Sequence, residues 1–160
     1  MKKVILMVLV VGLVAGLGAR QAFAQDKKVE FSLNVGGMGY LGSEGSFESV
    51  LLAFSPQVDI HVTKGLMISP EVMVVTDTHF SGAIGFPGVI FNYLGKGFFA
   101  GAGIVVPVYV GEDTAGVGTI LPKINIGYRG KKVNLTAYLI TSTQQMFSEN
   151  LVGATIGYRF

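Results

Sequence analysis

The chain has 160 residues, of which 50% are hydrophobic and only 14% are charged, and it contains 23 glycines and no cysteine. A soluble domain carries about 25% charged residues, so this composition is poorly suited to a surface that faces water everywhere. The apolar content excludes an intrinsically disordered chain, the missing cysteine excludes disulfides and thiolate chemistry, and a formal charge of +2 gives no reason to expect nucleic-acid binding.

The N-terminal segment has the pattern of a secretory signal peptide. Two lysines precede an uncharged apolar run over residues 4–19, and Ala22-Phe23-Ala24 forms a small-x-small cleavage site. The run has 16 residues, short of the ~20 that a membrane-spanning helix needs, which favours cleavage over a retained anchor. We therefore expect residues 1–24 to be removed and residues 25–160 to form one domain. That mature domain has 9 basic and 10 acidic residues, so most of the positive charge belongs to the signal.

The rest of the chain alternates apolar residues with small or polar ones at a period of two, which predicts eight β-strands. The apolar faces take every second residue of these stretches: Val29 to Val35, Val50 to Val62, Leu66 to Val74, Phe98 to Val108, Ile120 to Tyr128, Val133 to Leu139 and Val152 to Phe160. The fourth strand is irregular, because Ile84 and Phe86 are out of phase with Val89 and Phe91. A β-bulge at Pro87-Gly88 would absorb the slip.

The connections between the strands alternate in kind. Three are short, glycine-bearing and basic, which is typical of tight hairpin turns: Lys64-Gly65, Gly95-Lys96-Gly97 and Gly130-Lys131-Lys132. The other four are longer, over residues 37–47, 76–79, 111–116 and 142–150, and they carry acidic side chains without Lys or Arg: Glu44, Asp77, Glu112, Asp113 and Glu149. This order predicts an all-β, eight-stranded antiparallel up-and-down barrel with both termini at the short-turn end.

Period two alone does not decide which face of the strands points inward. A soluble ligand-binding barrel has its apolar face inside, whereas a transmembrane β-barrel turns that face to lipid. The polar faces here hold mostly Ser, Gly, Asn and Thr, aromatic residues lie near strand ends, and the strands have the ~9–11 residues that span a bilayer. These features favour the membrane barrel.

The last strand resembles the C-terminal signal of Gram-negative outer-membrane barrels. It has alternating apolar residues, a tyrosine two positions before the end and a final phenylalanine: Val152, Ala154, Ile156, Tyr158 and Phe160. Together with the signal peptide and the strand count, the chain resembles the small eight-stranded outer-membrane barrels that include OmpX, Ail and the transmembrane domain of OmpA. The long protruding loops of adhesive members are missing.

The resemblance implies a location and a set of partners. It implies the bacterial outer membrane with both termini in the periplasm, contact with outer-membrane lipid and lipopolysaccharide, and recognition of the last strand by the barrel assembly machinery. We expect a monomer with a structural or interaction role, no cofactor, no metal and no nucleic-acid partner.

Several ionisable residues fall on the inward register near the short-turn end: Glu30, Asp59, His61, Glu71, Lys123, Arg129 and Arg159. Asp59 and Glu71 belong to hairpin-linked strands and should be close neighbours, while Arg159 should approach Glu30 where the barrel closes. Paired carboxylates suit acid–base chemistry or cation binding. An internal salt-bridge network is the favoured interpretation, because buried charges must be paired.

One short motif suggests an enzyme. His79 and Ser81 resemble the His-x-Ser pair of the lipid A deacylase family PagL, and Asp77 is placed to orient the histidine. That family carries the pair near its C-terminus, whereas here it lies in mid-chain. A lipid A-modifying hydrolase is therefore one alternative function, against the interpretation of both residues as ordinary parts of a loop base.

A third hypothesis is a barrel that binds or conducts a small apolar molecule. Several apolar residues fall on the inward register, mostly in the half of the barrel nearer the long loops: Met67, Met73, Val75, Val105, Tyr109, Leu121 and Ile140. An eight-stranded barrel leaves room for side chains or one small ligand. Simple filling of the interior by these side chains is the favoured alternative.

Overall fold

The computed structural model describes residues 29–41, 47–78, 82–110, 115–141 and 150–160. These residues form ten strand segments: β1 Val29–Leu41, β2 Phe47–His61, β3 Leu66–Thr76, β4 Ala83–Gly95, β5 Phe98–Val105, β6 Val108–Val110, β7 Ala115–Val117, β8 Leu121–Arg129, β9 Val133–Ile140 and β10 Asn150–Arg159. Within these ranges no helix is long and apolar enough to cross a bilayer.

The strands close into an antiparallel barrel of eight strands. Segments β5 and β6 together form the fifth barrel strand, and β7 and β8 together form the sixth. Each barrel strand pairs with the next one in the chain, and β10 pairs with β1 to close the barrel. No edge of the barrel wall is left open, because β3 also pairs with β4. The predicted all-β, eight-stranded up-and-down architecture is confirmed.

Side chains alternate between the two faces of the wall as the sequence predicts. On β8, Ile124 and Ile126 are more than half exposed on the outside, while Lys123 and Asn125 are buried inside. Every barrel strand presents at least one large apolar side chain outward, and Tyr93 is 71% exposed there. The polar face is therefore the inner face, which excludes a barrel with an apolar interior throughout.

Three tight turns lie at one end of the barrel, called the turn end below; the opposite end is the loop end. They connect β2 to β3, β4 to β5 and β8 to β9. The β4–β5 turn has positive φ angles at Lys96 (44°) and Gly97 (89°), as a type I′ hairpin turn requires. Phe160 donates its backbone N–H to Phe31 at this same end, so both ends of the barrel wall meet here.

The predicted bulge at Pro87-Gly88 is wrong. β4 keeps one continuous register with β3 from Tyr93 to Ala83, and Phe86 simply points inward opposite Met73. The two out-of-phase sets of apolar residues lie on the two faces of this strand. Both faces are apolar there, because the inner face becomes apolar toward the loop end.

A register slip occurs instead in the sixth barrel strand. The β5–β8 pairing ends at Val105↔Leu121, and the β6–β7 pairing begins at Val108↔Val117. Between these two pairs the fifth barrel strand has two residues, whereas the sixth has three. Consequently Val117 and Ile120 both face outward. Proline lacks the N–H that a ladder needs, so Pro107 accounts for the break in pairing at this level.

The first strand is longer than predicted. Residues 37–41 continue β1 and pair with β10, where the sequence suggested a loop. Two glycines in this stretch, Gly37 and Gly39, hide the alternation, although Met38 is buried inside. Of the acidic loop residues, Glu44, Glu112, Asp113 and Glu149 lie outside the described residues.

Candidate functional site

Charged side chains from four strands meet inside the barrel at the turn end. Arg129 of β8 and Arg159 of β10 both donate to Oε2 of Glu30 on β1, with 2.8 Å between Arg159 Nη1 and that oxygen. His61 of β2 places its Nε2 3.8 Å from Glu30 Oε1. The structure thus brings Arg159 and Glu30 together across the β10–β1 junction.

The same cluster includes the buried Asp59 of β2. Arg129 Nη1 lies 3.0 Å from Asp59 Oδ2, and the other oxygen accepts hydrogen bonds from Gln57 at 2.6 Å and Ser69 at 2.7 Å. Arg129 therefore joins two carboxylates on neighbouring strands. Both oxygens of Asp59 have donors, which offsets the free-energy cost of burying its charge.

A second ion pair lies deeper in the lumen. Lys123 of β8 bonds to Oε1 of Glu71 on β3, and the two side chains are only 4% and 5% exposed. Ser55 donates to the other Glu71 oxygen at 3.4 Å, and the ammonium lies 4.6 Å from the ring centroid of Tyr138. This pair links strands that are not neighbours in the barrel wall.

The hairpin register makes Asp59 and Glu71 diagonal neighbours on the inner face, and not a directly opposed pair. The hairpin register pairs Gln57, and not Asp59, with Glu71. Asp59 is two residues nearer the turn, so the two carboxylates contact different cations. No shared proton or shared cation between them is indicated by this geometry.

Neutral polar side chains extend these contacts around the lumen. Asn134 donates to Asn34 at 2.9 Å, and the Asn34 amide donates to the Ser55 carbonyl at 3.0 Å. On the far side Asn92 donates to Ser69 at 2.9 Å. These partners, together with Gln57, were missed from sequence, although their inward register was predicted. These polar residues could have been identified from the strand registers, because they lie at similar distances from the turn end.

An apolar cluster fills the lumen nearer the loop end. Its buried members are Met38, Ala53, Met73, Val75, Phe86, Val105, Leu121, Tyr138, Ile140 and Leu151, with Tyr40, Leu51 and Ile84 packed against them. Val105 is completely inaccessible to solvent. Most positions proposed for an apolar pocket contact one another here, which favours filling of the lumen.

The carboxylates of this interior are all engaged by cations. Glu30, Asp59 and Glu71 each form at least one ion pair with an arginine or lysine. Among the described residues no group of three His, Asp or Glu side chains converges as a metal ion would need. The arrangement fits internal cross-linking of the barrel better than proton transfer.

The hydrolase candidates lie between β3 and β4 in the sequence. His79 and Ser81 lie outside the described residues, and Asp77 follows the end of β3. The loop base is closed by Thr76, whose hydroxyl donates to the Gly82 carbonyl at 2.7 Å.

A cavity of about 340 Å³ opens at the turn end, beneath the β2–β3 and β4–β5 turns. Its basic lining comes from Lys64, Lys96, Arg129 and Arg159, and His61 also contacts it. The sequence indicated basic turns but not this concavity, because the cavity forms only when the turns gather around the barrel mouth.

The proposed assembly residues lie on the outer face of β10. Ile156, Tyr158 and Phe160 are exposed, and Phe160 packs its ring against Phe31 at 5.7 Å and Tyr158 at 5.1 Å between ring centroids. Because the ring contacts lie on the outside of the wall, they form an aromatic cluster at the turn end.

Solved structures share this architecture. Neisserial surface protein A matches with a TM-score of 0.56 and 8% sequence identity, covering 84% of this chain and 98% of its own. The chain has the fold of the small eight-stranded outer-membrane barrels. The N-terminal β-barrel domain of Pseudomonas aeruginosa OprF matches with a TM-score of 0.51 and 14% identity, covering 84% of this chain and all (100%) of its own.

A third solved structure, Ail of Yersinia pestis, has a TM-score of 0.48 and 9% identity over 85% of this chain and 100% of its own. No protein-family model and no curated protein sequence matches the chain. At these identities the likeness establishes the fold alone.

Proposed function

We propose that this protein is a small outer-membrane β-barrel of a Gram-negative bacterium, with a structural or interaction role and a closed, ion-paired lumen. The observation that carries the proposal is the inverted distribution of side chains. Apolar residues such as Phe91, Ile104 and Ile126 are exposed on the outer wall, while Asp59 and Lys123 are buried inside. Such a wall is favourable against lipid and unfavourable against water.

A closed lumen supports a structural or interaction role over transport. Two barriers lie in series: the ion pairs near the turn end and the apolar cluster nearer the loop end. An eight-stranded barrel has an interior just wide enough to be filled by side chains. The surfaces left for partners are then the lipid-facing wall, the acidic loops and the basic turn end.

The sequence features extend this proposal to biogenesis and topology. Residues 1–24 act as a cleaved signal peptide, and the mature chain of residues 25–160 inserts as a monomer with both termini in the periplasm. The outer face of β10 is read by the barrel assembly machinery, and the folded wall contacts outer-membrane lipid and lipopolysaccharide.

Cell fractionation tests the location directly. We expect the expressed protein in the outer-membrane fraction, migrating faster on an unheated gel than after boiling, because closed membrane barrels resist detergent until heated. Recovery as a soluble periplasmic protein with a single mobility would overturn the proposal.

The topology can be tested with single cysteines, since the native chain has none. Glu112→Cys places the thiol in a long loop and Lys96→Cys places it in a tight turn. A membrane-impermeant maleimide should label the first variant on intact cells and the second only after the outer membrane is permeabilised. The reverse pattern would contradict periplasmic termini.

A further inference from the structure

The turn-end cavity concentrates positive charge without an acidic residue in its lining. Lys64 and Lys96 reach it from two neighbouring turns, and Arg129 and Arg159 reach it from the barrel interior. Two carboxylates lie behind the arginines, at Glu30 and Asp59. Four cations thus face two carboxylates, and the cavity keeps a positive charge.

The two lysines supply this excess. Neither Lys64 nor Lys96 forms an ion pair with an acidic side chain among residues 29–41, 47–78, 82–110, 115–141 and 150–160, and both are exposed at the rim. Lys132, on another turn of the same end, stacks instead over the ring of Tyr158 at 5.8 Å, away from the cavity.

Arg159 gives a second, independent observation. Its terminal nitrogens donate to Glu30 and to the carbonyls of Gly130 and Lys131, which fixes the guanidinium beside the cavity. A fixed guanidinium flanked by two exposed ammonium groups is an arrangement that binds the oxygens of a phosphate.

We propose that the turn-end cavity is a binding site for a phosphate group, with Lys64 and Lys96 as its principal ligands and Arg159 as its fixed base. Its volume suits one compact phosphate-bearing group. Phe98 also lines the cavity and faces the outer wall, so the phosphate can come from a free small molecule or from the headgroup of an anionic phospholipid.

The test uses the folded full-length mature barrel in uncharged maltoside micelles, titrated with pyrophosphate and followed by backbone amide NMR shifts. We expect saturable shifts at the β2–β3 and β4–β5 turns. Lys64→Gln and Lys96→Gln should each weaken binding about tenfold, the scale of one lost charge-assisted hydrogen bond. Lys131→Gln and Lys132→Gln remove the same charge outside the cavity and should change affinity by less than about twofold.

Equal weakening of binding by all four substitutions would show only a diffuse basic rim and would contradict the proposed site, as would the absence of saturable shifts.

The source of the phosphate is decided by repeating the experiment in nanodiscs. Shifts at the same turns with phosphatidylglycerol, lost in Lys64→Gln, indicate a lipid headgroup; shifts with added pyrophosphate alone indicate a free ligand. The micelle experiment is independent of cellular location, so its failure is distinguishable from failure of the outer-membrane proposal.

Discussion

At the scale of single residues, the interior is held together by ion pairs between side chains that are largely buried. The Glu71–Lys123 pair is the clearest example, because both side chains are almost fully buried and belong to strands that are not adjacent. Loss of one partner leaves a buried charge without compensation, whereas replacement of both by apolar side chains removes the desolvation cost as well.

We expect Glu71→Ala to lower the free energy of unfolding by about 3–5 kcal/mol, the scale of a broken buried ion pair. The double variant Glu71→Leu/Lys123→Met should recover most of this loss, since it removes both charges. Urea unfolding in detergent measures the free energy of unfolding of both variants. It is followed by gel mobility and by the near-UV signals of tyrosine and phenylalanine, since the chain has no tryptophan. An unchanged midpoint for Glu71→Ala would show that the pair does not stabilise the barrel.

Inward glycines determine where bulky polar side chains can lie. A Cβ atom on Gly157 would meet the amide oxygens of Asn34 and Asn134, and all its closest neighbours are side-chain atoms. The glycine therefore makes room for the hydrogen bond between these two asparagines.

Gly157→Ala should destabilise the barrel by about 1–3 kcal/mol, as overpacking does in a filled interior. Shortening both neighbours, with Asn34→Ser and Asn134→Ser, should reduce that loss, measured as a shift in the urea midpoint. Gly95→Ala is the matched control, because a Cβ there meets nothing within 4 Å. Equal destabilisation at both glycines would show that crowding against the asparagines is not responsible, because the entropy of the unfolded chain by itself favours alanine over glycine.

At the scale of elements, the two faces of β10 make different contacts. Its inner face supplies Arg159 and Thr155 to the lumen, and its outer face ends in the Tyr158–Phe160 ring contact. The inner contacts belong to the folded barrel, whereas the outer residues form the assembly signal only under the proposed function.

Phe160→Ala should therefore reduce the amount of barrel inserted in cells severalfold while changing refolding from urea into detergent much less. The two measurements are the heat-modifiable band in outer membranes and the refolded fraction in vitro. Phe98→Ala removes another exposed aromatic residue of the turn end and serves as the control. A parallel loss in both measurements for Phe160→Ala would assign the ring to stability alone.

Predictability from sequence also differed between elements. The alternation of β8 and β9 and the three short turns were predicted, because each follows from local period and turn chemistry. The bulge predicted in β4 is absent from its pairing with β3, and the loop predicted over residues 37–41 is part of β1. In both places the local pattern was ambiguous, since an inner face that is apolar or rich in glycine no longer alternates in hydrophobicity.

At the scale of the whole molecule, the lumen is divided into a charged region toward the turn end and an apolar region toward the loop end. Ion pairs close the first and packed side chains close the second. A continuous water path would have to pass both.

We expect the purified barrel to produce no stable stepwise conductance in planar lipid bilayers. A large trimeric porin reconstituted in the same way controls for insertion. Reproducible conductance steps from the native chain would contradict a closed lumen and favour a conduit.

The sequence by itself determined the fold class, the number of barrel strands, the face of nearly every described side chain and the identity of the inward charges. These depend on short-range periodicity and on turn residues, which one strand or one hairpin is enough to express. Only the tertiary structure decided which charges pair, where the register slips and that the basic turns enclose a cavity. Those properties depend on the relative shift of strands that are far apart in sequence, and a displacement of one residue changes every partner across the lumen.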